Sequence, residues 1–177
     1  FAGQSPFDKM RIMMMAVLMY TLFPIVTVLM LKGLKFIQTI HLDTQKDRII
    51  PIIACMTWYG WLAYVWWNSH KMNDSIAVPK EAFRLTLAVF LASWLALMAN
   101  IKIKISLHAI SVGVMLTFII LLALSQDLNF GIYISIALLI TGITCTSRFI
   151  VSDHTATEIY GGLVVGAASM LVASQFG

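Results

Sequence analysis

Charge is scarce in this chain. Asp, Glu, Lys and Arg make up 11% of its 177 residues, while 60% are hydrophobic. A soluble domain of that length needs far more charge to cover its surface. Cysteine is nearly absent as well. Cys55 and Cys145 both fall in apolar stretches, where a thiol behaves as a small hydrophobe, so neither a disulfide nor a metal site is read from them. The apolar blocks lack period-2 alternation, which excludes a membrane β-barrel. No run of Lys and Arg with interleaved aromatics occurs, so the formal charge of +4 is read as loop basicity, and nucleic acid is not expected as a partner. No internal repeat, low-complexity tract or linker is visible, and 1–177 reads as a single domain.

What the sequence does hold is apolar blocks long enough to cross a hydrocarbon core of about 30 Å as helices. The mean hydropathy is +0.88. Lipid offers no partners to backbone N–H and C=O groups, so continuous apolar spans must be helical. The pattern predicts an all-α integral membrane bundle of about six transmembrane helices, over 10–31, 49–67, 83–101, 105–124, 130–145 and 158–175. Pro51 is expected in the first turn of the second span, where a missing N–H costs little. The aromatic end of that span (Trp58, Tyr59, Trp61, Tyr64, Trp66, Trp67) is expected at the headgroup level. The first residue is Phe1 rather than Met, which leaves room for an earlier segment, either another span or a removed signal.

Alternation of six spans sorts the polar segments by side. One face carries Lys32, Lys35, Lys46, Arg48, Lys102, Lys104 and Arg148, and the other carries Lys9, Arg11, Lys71, Lys80 and Arg84. That imbalance is too small to orient the protein by the positive-inside rule. The residues able to do chemistry gather on the first face. Lys104, Ser106 and His108 are expected to open the fourth span, with Lys104 and His108 four apart and so on one helix face. Ser147, Arg148, His154 and Glu158 are expected to open the sixth, after a polar loop over 146–155. Two histidines, a carboxylate and several cations at one boundary suit phosphate chemistry. Cations hold phosphate oxygens by charge-assisted bonds. One imidazole can attack phosphorus while the other protonates the leaving oxygen, and a carboxylate fixes the tautomer of the attacking ring.

Plainer readings stand beside these. Lys32 and Lys35 fit snorkelling to headgroups. T-x-x-E at Thr155–Glu158 is a capping box, so Glu158 can simply start the last helix. His41 and His70 read as structural. Gly162 and Gly166, four apart, suit close helix packing, and Met13 to Met15 read as lipid-facing or as core filler.

The segment from Ser147 to Glu158, S-R-F-I-V-S-D-H-T-A-T-E, resembles the third signature of the type 2 phosphatidic acid phosphatase (PAP2) superfamily, S-R-x5-H-x3-D, with Glu in place of Asp. The helix that follows, from Tyr160 to Gly166, resembles that family's glycine-rich helix. I-S-L-H at Ile105–His108 is similar to the second signature, P-S-G-H, keeping Ser and His. The sequence is also similar to small PAP2-like bacterial membrane proteins that carry K-I-S-x-H and H-T-x-x-E. The resemblance covers the C-terminal half. The first signature, K-x6-R-P, is absent from the end of the third span, and Ile105 and Leu107 replace the proline and glycine of the second.

The resemblance implies a PAP2-like bundle in the bacterial inner membrane. It implies a metal-independent phosphatase acting on a lipid phosphate or isoprenyl pyrophosphate, with no cofactor. By the same resemblance His154 is the nucleophile, Glu158 orients it and His108 is the general acid. Arg148, Lys104 and Ser106 bind the phosphate, and Arg48 is a candidate for a missing cation. The substrate enters laterally from the bilayer, and membrane lipids are the expected partners. The missing first signature motivates a second expectation, a non-catalytic lipid-binding protein or a small membrane subunit of a larger protein complex. A transporter is less expected, because no span carries a charge at mid-bilayer and no inverted repeat is visible.

Overall fold

The computed structural model describes residues 5–37, 45–71, 78–126, 129–151 and 154–176. Every regular element among them is a helix, and six helices are long and apolar enough to cross a membrane. The chain is an integral membrane protein of the all-α class.

Helix α1 (Pro6–Val17) starts on Ser5, whose Oγ accepts the Asp8 amide at 3.1 Å, with proline at its first position. It continues through a π-helical turn (Leu18–Leu22) into α2 (Phe23–Gly33), and the three pieces form one span, Pro6–Gly33. The widened turn aims Tyr20 at the neighbouring helix α4 (Lys80–Asn100), where its hydroxyl meets that of Thr86. After α2, Lys35 takes a left-handed conformation (φ 61°). The amides of Lys35 and Phe36 return to the carbonyls of Lys32 and Leu31 at 3.0 and 2.9 Å, a Schellman end in which lysine stands where glycine is usual.

Helix α3 (Gln45–Lys71) begins earlier than the hydropathy predicts. Pro51 therefore lies inside the helix, not in its first turn. It removes one backbone bond from a helix otherwise long enough to tolerate the loss. The aromatic end of α3 is also divided in a way the sequence does not indicate. Trp61, Tyr64 and Trp67 face outward, but Trp66 is buried. Trp58 stacks on Phe23 with ring centroids 4.6 Å apart and donates its indole N–H to Thr27 at 2.9 Å. Met13 and Met14 are exposed, on the side that lipid covers.

The remaining helices are α5 (Leu107–Ser125), α6 (Gly131–Val151) and α7 (Ala156–Ser174). Lipid tails are as apolar as leucine, so packing rather than hydrophobic burial decides which helices touch. The closest pair is α5 and α7, followed by α4 with α7 and α3 with α4. A Cβ on Gly162 would stand 2.8 Å from the Ser106 carbonyl, and one on Gly113 2.6 Å from the Leu163 carbonyl. The absent side chains thus let the α5 and α7 backbones meet. Ala88, Ala92 and Ala96 give α4 a small-residue face in the same core, against Ile110, Val114, Met170 and Ala173. By contrast, α6 buries only Ala137 and Thr141, and its broad apolar face points outward.

Candidate functional site at the α5–α7 entrance

The site is built where α5 and α7 begin side by side. Ser106 caps α5: its Oγ accepts the Ala109 amide at 3.4 Å. Its own amide donates to the Glu158 carbonyl at 3.2 Å. One backbone bond therefore ties the Ile105–His108 segment to the start of α7. Ser106 is fully buried, and its hydroxyl is engaged in capping the helix it starts.

Thr155 caps α7, and the box is complete: Thr155 Oγ1 accepts the Glu158 amide at 3.4 Å, and Glu158 Oε2 accepts the Thr155 amide at 3.1 Å. The same Oε2 accepts a hydrogen bond from His154 Nδ1 at 2.9 Å. Capping and orienting His154 were alternatives in the sequence; in the structure one carboxylate oxygen does both. With a carboxylate accepting at Nδ1, the proton sits there and Nε2 presents its lone pair. The His154 side chain is 2% exposed, so the ring is almost wholly covered.

Arg148 does not open the last span as expected. Helix α6 continues to Val151, and Arg148 lies in its last turn, where a cation complements the helix dipole. The helix runs through 146–151 because its polar residues bond within it; Ser147 Oγ, for example, returns to the Ile143 carbonyl at 2.8 Å. His108 occupies the first turn of α5 and is exposed. It lies within electrostatic reach of Arg148, Arg48 and His154. The two histidines and two arginines therefore converge from α3, α5, α6 and the α7 entrance.

Arg48 is the arrival that no local pattern indicates. It sits near the start of α3, is 8% exposed, and donates from Nη1 to the Ile105 carbonyl over a long 3.4 Å. Asn100, fully inside at 2% exposure on the last turn of α4, ends at the same level. Its only sequence signal is a polar residue closing an apolar span. Lys104 is half-buried in the link before α5, outside the helix, so the four-residue spacing to His108 does not put them on one helix face. Among the described residues Lys104 makes no hydrogen bond or ion pair. His41 and the side chain of His70 lie outside the described residues. Also among the described residues, no group of three or more His, Cys, Asp and Glu side chains is placed to hold a metal ion.

Fold and site together define a polytopic helical membrane protein with a basic, histidine-bearing cluster at one membrane face. The chain matches no protein-family model, no curated protein and no solved structure.

Proposed function

We propose that the chain is a PAP2-like phosphatase of the bacterial inner membrane that hydrolyses a lipid phosphate or isoprenyl pyrophosphate through His154. The observation that carries this reading is the His154–Glu158 hydrogen bond of 2.9 Å, made within a cluster that also holds His108, Arg148 and Arg48.

In the reaction, Nε2 of His154 attacks phosphorus as the bond to the leaving oxygen breaks, and His108 gives that oxygen its proton. Glu158 stabilises the positive charge that develops on the attacking ring. In the second step water attacks the phosphohistidine, His108 takes a proton from it, and the N–P bond breaks to release phosphate. Arg148 and Arg48 hold the equatorial phosphate oxygens, where guanidinium forks bind in a bidentate way. Arg48, arriving from α3, takes a place that the missing K-x6-R-P signature would fill from α4. Lys104 adds charge at the rim. Because the His154 ring is nearly covered, the incoming head group displaces part of that cover.

The test is phosphate release by the purified protein from phosphatidate, phosphatidylglycerophosphate and an isoprenyl pyrophosphate. Release is expected with at least one of them, and His154→Ala is expected to abolish it. Activity that survives His154→Ala sinks the assignment.

Two observations favour a second reading. The Ser106 hydroxyl is buried and engaged with the Ala109 amide, and Lys104 lies in the link before α5 rather than on the helix face with His108, which leaves the phosphate cradle thinner than the resemblance implies. On that reading the cluster binds a lipid headgroup without turnover, alone or as a subunit of a membrane complex. Co-purifying lipid or a stoichiometric partner, with no release from any of the three substrates, favours it.

A further inference from the structure

Between the first span, α3, α4 and α5 lies a cavity of about 620 Å³, within the range of about 300–1,000 Å³ usual for ligand sites. Its walls are helical stripes: Ile52 and Tyr59 on α3, Val89 and Ala96 on α4, Leu107 and Val114 on α5. In each pair the residues are two turns apart on one face. Carried one turn further toward the site, the α3 stripe reaches Arg48 and the α4 stripe reaches Asn100. The α5 stripe begins beside His108. All three stripes thus end in polar groups at the same level, and one of them belongs to the cluster that acts on His108.

The cavity is mostly apolar to a guest, the Tyr59 hydroxyl at its deep end apart. Ser93 Oγ returns to the Val89 carbonyl at 2.8 Å, Ser111 Oγ to the Leu107 carbonyl at 3.0 Å, and Tyr20 is bonded to Thr86. From Leu107 to Phe118, both of which line it, α5 rises roughly 16 Å. That is about half of the ~30 Å hydrocarbon core. The opposite side of α5 offers no comparable space, because Gly113, Gly162 and Gly166 bring its backbone against α7.

We propose that this cavity is the seat of the apolar chain of an amphiphilic phosphate whose head lies among Arg48, His108 and Arg148. The proposal rests on the reading of that cluster as a phosphate site, and it adds where the chain goes and how long it is: one leaflet deep, on the α3–α5 side. A chain moving from lipid into the cavity exchanges one apolar surroundings for another. The cavity therefore sets register and chain length, and the charges at its mouth hold the head.

The experiment uses dodecyl phosphate carrying a diazirine on its last carbon, photo-cross-linked to the purified His154→Ala protein and mapped by mass spectrometry. Cross-links are expected at the deep end, on Tyr59, Val89 or Phe118. Ala92→Phe, which fills the cavity, is expected to lower their yield about tenfold, a loss of about 1.4 kcal/mol in binding. Ser111→Leu, a milder filling, is expected to lower it in the same direction. Cross-links confined to outward residues such as Ile132 and Leu139, or an unchanged yield in both filled variants, overturn the proposal. Turnover is not needed for this result. Absence of phosphate release from the intact protein, with cross-links in the cavity, counts against the phosphatase alone. Release with cross-links elsewhere counts against the chain seat alone.

Discussion

Glu158 Oε2 accepts from the Thr155 amide at 3.1 Å and from His154 Nδ1 at 2.9 Å, so two jobs meet on one atom and can be separated by substitution. Glutamine is accepted in a capping box, so Glu158→Gln is expected to keep α7 started. The loss of stability should stay under about 1 kcal/mol, mostly the missing charge at the helix N-terminus. The amide no longer stabilises a positive ring and admits the wrong tautomer of His154. Phosphate release is expected to fall by about 10⁴-fold, the scale seen when a triad carboxylate becomes an amide. Glu158→Ala is expected to lose the same activity and a further ~1 kcal/mol from the cap. Thermal unfolding in detergent, read beside phosphate release, checks both. Full activity in Glu158→Gln would show that the carboxylate only caps. The sequence made this pair legible because His154 and Glu158 are four apart at a helix start. It left Arg48 a bare candidate, because the 3.4 Å bond to the Ile105 carbonyl joins residues far apart in the chain.

Helix α7 meets α5 through backbone, and this contact carries the site, since the Ser106 amide reaches the Glu158 carbonyl only while the two helices stay close. A Cβ on Gly166 would strike the Ile110 carbonyl and the Val114 amide, which are backbone and cannot swing away. Gly161, on the same helix, has open space at its Cβ. Gly166→Ala is therefore expected to lower stability by about 1–3 kcal/mol. Gly161→Ala is expected to be neutral or stabilising by up to about 1 kcal/mol, through helix propensity alone. Unfolding of the two variants in a graded detergent mixture measures the difference, and equal destabilisation contradicts the packing described. At this scale the sequence was a good guide to the existence of each helix and to the role of Gly162 and Gly166. It was a poor guide to ends. Hydropathy falls at Thr146, but Ser147 Oγ bonds back to Ile143 and α6 continues to Val151. The same weakness hid the burial of Trp66 and the Trp58–Phe23 stack, because an aromatic residue suits both a headgroup belt and a helix contact.

Six crossings place both ends of the helical bundle on the face opposite the site. The start of α1 near Phe7 and the end of α7 near Phe176 share one side. Phe36, Lys104, His108 and Thr155 share the other, together with the convergent arginines. The imbalance of basic residues is too small to say which side faces the cytoplasm, because several of the cations on the site face belong to the cluster rather than to loops. Membrane-impermeant thiol labelling decides both matters at once. In a background carrying Cys55→Ser and Cys145→Ser, single cysteines are placed at Phe7, Phe36, Thr155 and Phe176, all of them exposed. Labelling is compared between right-side-out and inverted vesicles. Phe7→Cys and Phe176→Cys are expected to label together from one side, and Phe36→Cys and Thr155→Cys together from the other. Labelling of Phe36→Cys from the Phe7→Cys side would mean that Pro6–Gly33 does not cross, and labelling of Phe36→Cys and Thr155→Cys from opposite sides would remove Arg48 from the face that holds His154. If the expected pairs hold, the side that labels Thr155→Cys is the side on which the proposed phosphatase would release phosphate, and the proposed chain seat between α3 and α5 would draw its lipid from that leaflet.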